Sequence, residues 1–368
     1  MADLTWGEVR ARRLARSCLL VPAPSVVDVV KAHGAVQAQV LSAAELATAL
    51  RVEGGTVAEV RVALYETREI VKTWSIRGTL HFVAADALPL WAAAVRGAKP
   101  YWEEREWLAS HELTARGAEK TFAAIADALD GRRLTRAELA DEVAARVGKR
   151  HKRLLSGYGE LLAPPTYQGK LCFGPPDGAN VTFVRADQWI GGWRDVEPAE
   201  ARREVLRRFL AAYGPANADA FTHWSGFGRD ESKALFDELR GQLTEVSVEG
   251  KKLWLLDQGD LDKNATSVRL VPQYDPYVIG FRPREPMLPD VVKARIREGG
   301  RGRLEGVASQ SVLLVDGAAT GLWRRERRGA KLELSVEHVL PLPRGRKRAL
   351  DAAAARVRAA LLVPGTLT

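Results

Sequence analysis

Apolar residues recur at three- and four-residue spacing over 6–17, 25–33 and 42–50, the period of amphipathic helices. Ser25 and Ser42 predict N-caps, Ser42 with Glu45 predicts a capping box, and Gly54-Gly55 breaks the chain afterwards. The period then changes to that of strands. Residues 69–75 and 79–83 predict a hairpin joined across Ile76-Arg77-Gly78. The same order returns twice. Helices over 118–129, from the capping-box sequence Thr135-Arg-Ala-Glu138, and over 149–162 precede strands at 167–173 and 180–185, with a turn at 174–178. Helices over 199–213, 217–224 and 230–239 precede strands at 243–248 and 252–257 around Glu249-Gly250-Lys251.

Helix, helix, helix and hairpin is the order of a winged helix, a helix-turn-helix variant with a β wing. The expectation is therefore an α+β chain with three tandem winged-helix domains over 1–110, 111–195 and 196–262. A C-terminal β-rich region over 263–368 follows. Its strands are predicted at 268–271, 277–281, 307–315, 318–324 and 331–336, before an Ala-rich helix at 348–362. The three copies share a pattern and little sequence, so an ordinary α+β chain with similar runs is the plain alternative.

Composition narrows the class. The 368 residues exceed one ordinary domain, and 46% hydrophobic with 27% charged residues is the balance of a globular chain. The two cysteines, Cys18 and Cys172, stand far apart without a Cys/His cluster, against a disulfide framework or structural zinc. No apolar run approaches the ~18 residues of a membrane span, and Arg10, Arg12, Arg13 and Arg16 occupy the N-terminus, so a cytoplasmic chain without membrane partners is expected. Net charge is +9, and 293–348 alone holds 14 Lys/Arg against 6 Asp/Glu. A basic surface of this kind releases counterions from a phosphate backbone, which points to DNA, although a solvated charged face is the alternative.

Familiar chemistry is missing. The chain has no Gly-x-x-x-x-Gly-Lys-Ser/Thr, Gly-x-Gly-x-x-Gly, Gly-x-Ser-x-Gly or His-Glu-x-x-His, and its six histidines are scattered. No metal and no cofactor are expected. What stands out is Ala35-Val36-Gln37-Ala38-Gln39-Val40. On a helix, residues two apart point about 200° from each other. In extended backbone they share one side. Gly34 supplies the break that makes the extended form possible.

Gln37-x-Gln39, the segment Thr73-Trp-Ser-Ile-Arg77-Gly-Thr-Leu-His81, the run from Leu270 through Tyr274-Asp275-Pro-Tyr277 to Arg282, and Val315-Asp-Gly317 with Gly321-Leu-Trp323 together resemble the AlkZ/AlkX (YcaQ-like) winged-helix DNA glycosylases. The resemblance covers nearly the whole chain. It implies tandem winged helices forming a curved DNA-binding surface, and cleavage of the N-glycosidic bond of N7-alkylated purines, including bulky adducts and interstrand crosslinks. It places catalysis on Gln37 and Gln39. AlkX-type members carry Asp at the second position, so Gln39 sorts this chain with the AlkZ type, which is associated with self-protection against the crosslinking antibiotic azinomycin.

Other residues complete the expected site. Lys149, Arg150 and Lys152 open a basic helix suited to phosphates, with a solvated charged face as the alternative, and Arg295, Arg297, Arg301 and Arg303 sit among glycines as a mobile basic hairpin, with an ordinary surface loop as the alternative. Arg77 and His81 on the first wing, with Tyr274 and Asp275, are possible site support. The preferred reading for His81 is a satisfied buried hydrogen bond, and for Asp275 a cap on backbone amides. Trp6, Trp74, Trp91, Trp102 and Trp107 read as packing aromatics. The expected partner is duplex DNA with alkylated or crosslinked purines, bound by a monomer. The rival is a winged-helix transcriptional regulator that binds DNA without chemistry. A metal-dependent nuclease is disfavoured because no Asp/Glu/His cluster appears.

Overall fold

The computed structural model describes residues 2–97, 100–156, 161–256, 266–298, 306–328 and 331–361. It is a mixed α+β chain with small sheets, divided into two compact units. One is built from 1–61 together with 206–368, the other from 62–205.

The first unit opens with the helix Trp6–Arg16. Thr5 accepts from the Glu8 amide and the Glu8 carboxylate answers Thr5 N, a full capping box that satisfies two otherwise orphaned donors. Ser25 caps Val26–His33 in turn, and Gly34, at φ +72°, ends it. The next helix, Leu41–Ala49, departs from expectation. It begins after Val40 with no side-chain cap, so Ser42 lies inside the first turn. Glu45 is buried and its carboxylate takes a two-point contact from Arg61, Nε to Oε1 at 2.8 Å and Nη2 to Oε2 at 3.1 Å, which removes it from any capping box.

Two sheets complete this unit. Ala2–Leu4 pairs parallel with Thr244–Val248, which pairs antiparallel with Lys251–Leu255. Leu4, Trp6, Val9, Val246, Val248, Leu253 and Leu255 form the core beneath them. The second sheet is a meander of Val268–Val271, Val312–Val315, Ala318–Arg328 and Lys331–His338. The expected strand at 277–281 is instead the helix Pro276–Gly280. Tyr-Val-Ile reads as a strand by composition, but Pro276 fits the first helical turn and Asp275 accepts from Tyr277 N, so the local caps win over the side-chain type. The basic segment at 295–303 also differs: Arg295 and Arg297 lie on the helix Asp290–Glu298 and not in a hairpin. A sequence ending in Gly299-Gly300 supplied the loop signal, while Val292 and Ile296, four apart, provide the buried helical stripe. Arg301 and Arg303 lie outside the described residues.

One buried ion pair ties this unit together. Asp275 and Arg51 are both without solvent exposure. Arg51 Nη1 and Nη2 meet Asp275 Oδ2 and Oδ1 at 2.9 and 2.8 Å, and the guanidinium also donates to the carbonyls of Ser17 and Ala47. Tyr277, two residues on, donates its hydroxyl to Gly317 O at 2.8 Å. Gly317 sits at φ +77°, and a Cβ there would lie 2.5 Å from that hydroxyl, so glycine is required on both counts.

The second unit holds the helices Ala115–Ala128 and Arg136–Val147, the latter closed by the expected Thr135–Glu138 box. Leu134–Thr135, Asn180–Val184 and Cys172–Asp177 form an antiparallel sheet. The last strand runs on to Asp177, so the turn is shorter than the 174–178 stretch expected from its prolines. Ile70–Trp74 pairs antiparallel with Leu80–Ala84 as expected, and positive φ at Arg77 and Gly78 gives a primed turn that matches strand twist. Trp74 packs on Phe173 at 5.0 Å and Trp102 stacks on Tyr167 at 5.8 Å. Trp91 is buried and Trp107 stacks on His111, so these tryptophans serve packing.

Removing one partner of a buried pair leaves an uncompensated charge. Asp275→Ala is expected to destabilise the protein by about 3–5 kcal/mol, and Arg51→Met/Asp275→Ala by less than the sum of its single changes, as read by urea unfolding.

Candidate active site

Gly34 is where the local geometry of the glutamine pair is decided. Its positive φ stops the preceding helix, Val36–Gln37 is extended, and Val40 remains extended at φ −105°, ψ 99° before the next helix starts. Along this stretch Val36 and Ala38 are buried, Gln37 is half-buried and Gln39 is exposed. The alternation is that of a half-buried strand, with the apolar residues inward and the two amides on the opposite side. Two neutral amides, each with donors and acceptors, can orient a small polar molecule without any titrating group.

The nearest acid in sequence beyond the pair is Glu45, which is held by Arg61. Arg325, on the long strand Ala318–Arg328, is close enough to feel the Glu45 charge, although burial pulls its own pKa down. His33, immediately before Gly34, is buried and gives Nδ1–H to Val29 O at 2.8 Å. Desolvation, and secondly the charge of Arg51, pushes its pKa down to about 3, so it is neutral.

Tyr274 and Asp275 have the structural role that their turn predicts. Tyr274 has φ +57° and donates its amide to Ala308 O, while Asp275 is consumed by Arg51 and by Tyr277 N. Arg77 and His81 belong to the other unit and are brought together by their turn. His81 Nδ1–H donates to Thr79 O at 3.0 Å, leaving Nε2 as acceptor for Arg77 Nη2 at 3.3 Å. Burial first, and Arg77 second, pushes the His81 pKa down to about 3.

The basic residues divide. Arg295 pairs with Glu337, and Arg297 lines a cavity of about 170 Å³ with Arg284 and Lys293. In the second unit, Lys149 and Lys152 line a cavity of about 820 Å³ together with Arg136, the turn residue Ala179 and the strand residues Asn180 and Val181. Lys152 also reaches Asp141 at 2.5 Å. Arg150 begins the helix Arg150–Ser156. The cavity lies between a helix pair and a β turn, a cationic groove of the shape a phosphate backbone enters. Pattern reading overlooks Arg51 and Arg284, because an isolated arginine carries no periodic signal; its position directly after an almost wholly buried helix is the only clue to Arg51.

Residues 30–360 match the family model described as DNA glycosylase AlkZ-like. This chain belongs to the AlkZ-like DNA glycosylase family. It is similar to an interstrand DNA cross-link repair glycosylase of Streptomyces sahachiroi, 33% identical over 332 residues, which cover 87% of each chain. The solved structure of the Streptomyces sahachiroi DNA glycosylase AlkZ superposes with a TM-score of 0.80 over 97% of both chains at 31% identity. The family is enzymatic, which favours catalysis over the regulator reading. Among the described residues no helix is long and apolar enough to cross a membrane.

Both buried histidines link stability to pH. The unfolded chain takes up a proton on each near pH 6.5, the folded chain near 3, so stability falls as pH drops through that interval. His81→Gln is expected to remove about 2 kcal/mol of the wild-type loss between pH 7 and 5. Unfolding curves at the two pH values check this.

Proposed function

We propose that this DNA glycosylase is monofunctional and hydrolyses the N-glycosidic bond of N7-alkylated purines, with a water held by Gln37 and Gln39. The observation that carries the reading is the alternating burial that follows the short strand Val36–Gln37, with Val36 and Ala38 buried while Gln37 is half-buried and Gln39 exposed. A purine alkylated at N7 is cationic. When its C1′–N9 bond breaks, the electron pair leaves with a neutral base, and no general acid is needed. The enzyme's remaining work is at the sugar. The amide carbonyls accept hydrogen bonds from a water, aim its oxygen at C1′ and stabilise the oxocarbenium-like centre by their dipoles. The new C–O bond closes the reaction and a water proton passes to solvent.

The substrates include bulky adducts and interstrand crosslinks. This reading rests on the crosslink-repair glycosylase to which the chain is similar and on the shallow position of Gln39, which is exposed. A purine tied to the opposite strand cannot be swung fully into a deep pocket. Resistance to an alkylating antibiotic of the azinomycin type is the accompanying role. The chain acts as a monomer in the cytoplasm, on the nucleoid. Its three winged-helix domains, over 1–110, 111–195 and 196–262, hold the duplex together with 263–368. Lys149, Arg150, Lys152, Arg295, Arg297, Arg301 and Arg303 supply phosphate contacts, with Arg77 and His81, Tyr274 and Asp275 shaping the surroundings.

The test is abasic-site formation on a duplex containing 7-methylguanine, in EDTA. Gln37→Ala and Gln39→Ala are each expected to slow excision by about 10²-fold, the usual effect of misplacing a reactant, with duplex affinity nearly unchanged. A double variant as fast as wild type would overturn the assignment.

A further inference from the structure

Two arginines of the first unit each keep a buried donor that makes no hydrogen bond. Arg282 and Arg284 flank Pro283 after the helix Pro276–Gly280, and both line an open cavity of about 660 Å³. Its other walls come from the start of the helix Ala218–Ser225, the strand Lys251–Leu255 and the helix Asp290–Glu298. Arg282 Nε and Arg284 Nη1 are buried and make no hydrogen bond. Glu285 is the carboxylate that acts on Arg282, and the charge that acts on Arg284 is Arg282 itself. Burial lowers the pKa of both, Arg284 to about 10, and the neighbouring guanidinium adds to that fall.

The contrast with Arg51 is informative. Arg51, fully buried where Arg282 and Arg284 are half-buried, spends its donors on Asp275 and two carbonyls. At half-buried Arg282 and Arg284 the protein bears the partial desolvation of two neighbouring cations, with one buried N–H of each left unpaired. With Arg282 and Arg284 included, the cavity presents five Lys/Arg side chains against three Asp/Glu. Arg284 and Lys293 also line the smaller cavity that holds Arg297, so the positive wall continues beyond the mouth. Forked guanidinium donors in a partly dry cleft match the oxygens of a tetrahedral anion.

We propose that this cavity binds a phosphate group through Arg282 and Arg284. The group is either a phosphodiester of bound duplex or the phosphate of a free small molecule. The site goes beyond the glutamine assignment and does not depend on it.

The experiment uses the full chain, with Arg284→Met and, independently, Arg282→Gln. In thermal unfolding with inorganic phosphate against chloride at equal ionic strength, wild type is expected to gain several degrees. Arg284→Met loses that gain and Arg282→Gln reduces it. In phosphate-free chloride Arg284→Met melts no lower than wild type, because it removes a half-buried charge whose Nη1 lacks an acceptor. A second arm measures binding of an undamaged duplex across a salt series. If the phosphate is the duplex backbone, Arg284→Met lowers the slope of log affinity against log salt by about one, and inorganic phosphate competes with DNA. If it belongs to a free molecule, phosphate stabilisation is lost while the salt slope is unchanged. Variants that match wild type in both arms overturn the proposal. Neither arm reads base excision, so this failure is distinct from failure at Gln37 and Gln39.

Discussion

The Arg51–Asp275 pair is the constraint on which the first unit turns. It joins the residue just past the helix Leu41–Ala49 to the turn that starts Pro276–Gly280, and both charges are fully withdrawn from water. Such a pair is tolerable because the guanidinium's donors meet two carboxylate oxygens and two carbonyls. Its neighbours follow from it. Asp275 starts the short helix, Tyr277 reaches Gly317, and Asp316 next door accepts from Ser267 N and from Arg346. The helix that leaves the glutamine segment is thus fixed at its far end by an electrostatic lock.

That fixity bears on the proposed chemistry. Gln37 and Gln39 stand between Gly34, where one helix is forced to end, and Leu41, where the next begins. Between these ends the chain is a strand at Val36–Gln37 and a bend at Gln39, and the inward Val36 and Ala38 set its facing. Amide side chains bring geometry without acid strength. They suit a leaving group that already carries positive charge, whereas a neutral purine would demand a proton donor that this stretch does not offer.

Much of this was legible in the residues. Ser25, Thr135 and Asn217 announce helix starts because a short oxygen side chain satisfies an orphan amide wherever the chain turns helical. Glycine at 34 disclosed the helix break before the glutamines for the same local reason, though the strand it admits stops at Gln37 and Gln39 lies in a bend. Reading failed where a distant partner outbid the local one. Glu45 looked like half of a capping box beside Ser42, yet Arg61 claims it. Tyr277-Val278-Ile279 looked like a strand, yet Asp275 and Pro276 turn it helical. Arg295 and Arg297 looked like a loop because glycines follow them, while the buried Val292 and Ile296 make the stretch a helix. Arg51 and Arg284 escaped altogether, since their importance lies in what surrounds them in three dimensions.

The first unit is assembled from both ends of the polypeptide, with 62–205 lying between its halves. Arg51 and Asp275 are 224 positions apart. On the ribosome the intervening unit is complete before Asp275 has been made, and Arg51 emerges long before its counter-ion. An arginine destined for the interior must remain in water for the whole of that interval, so the helices around Arg51 cannot reach their final packing before Asp275 has been made.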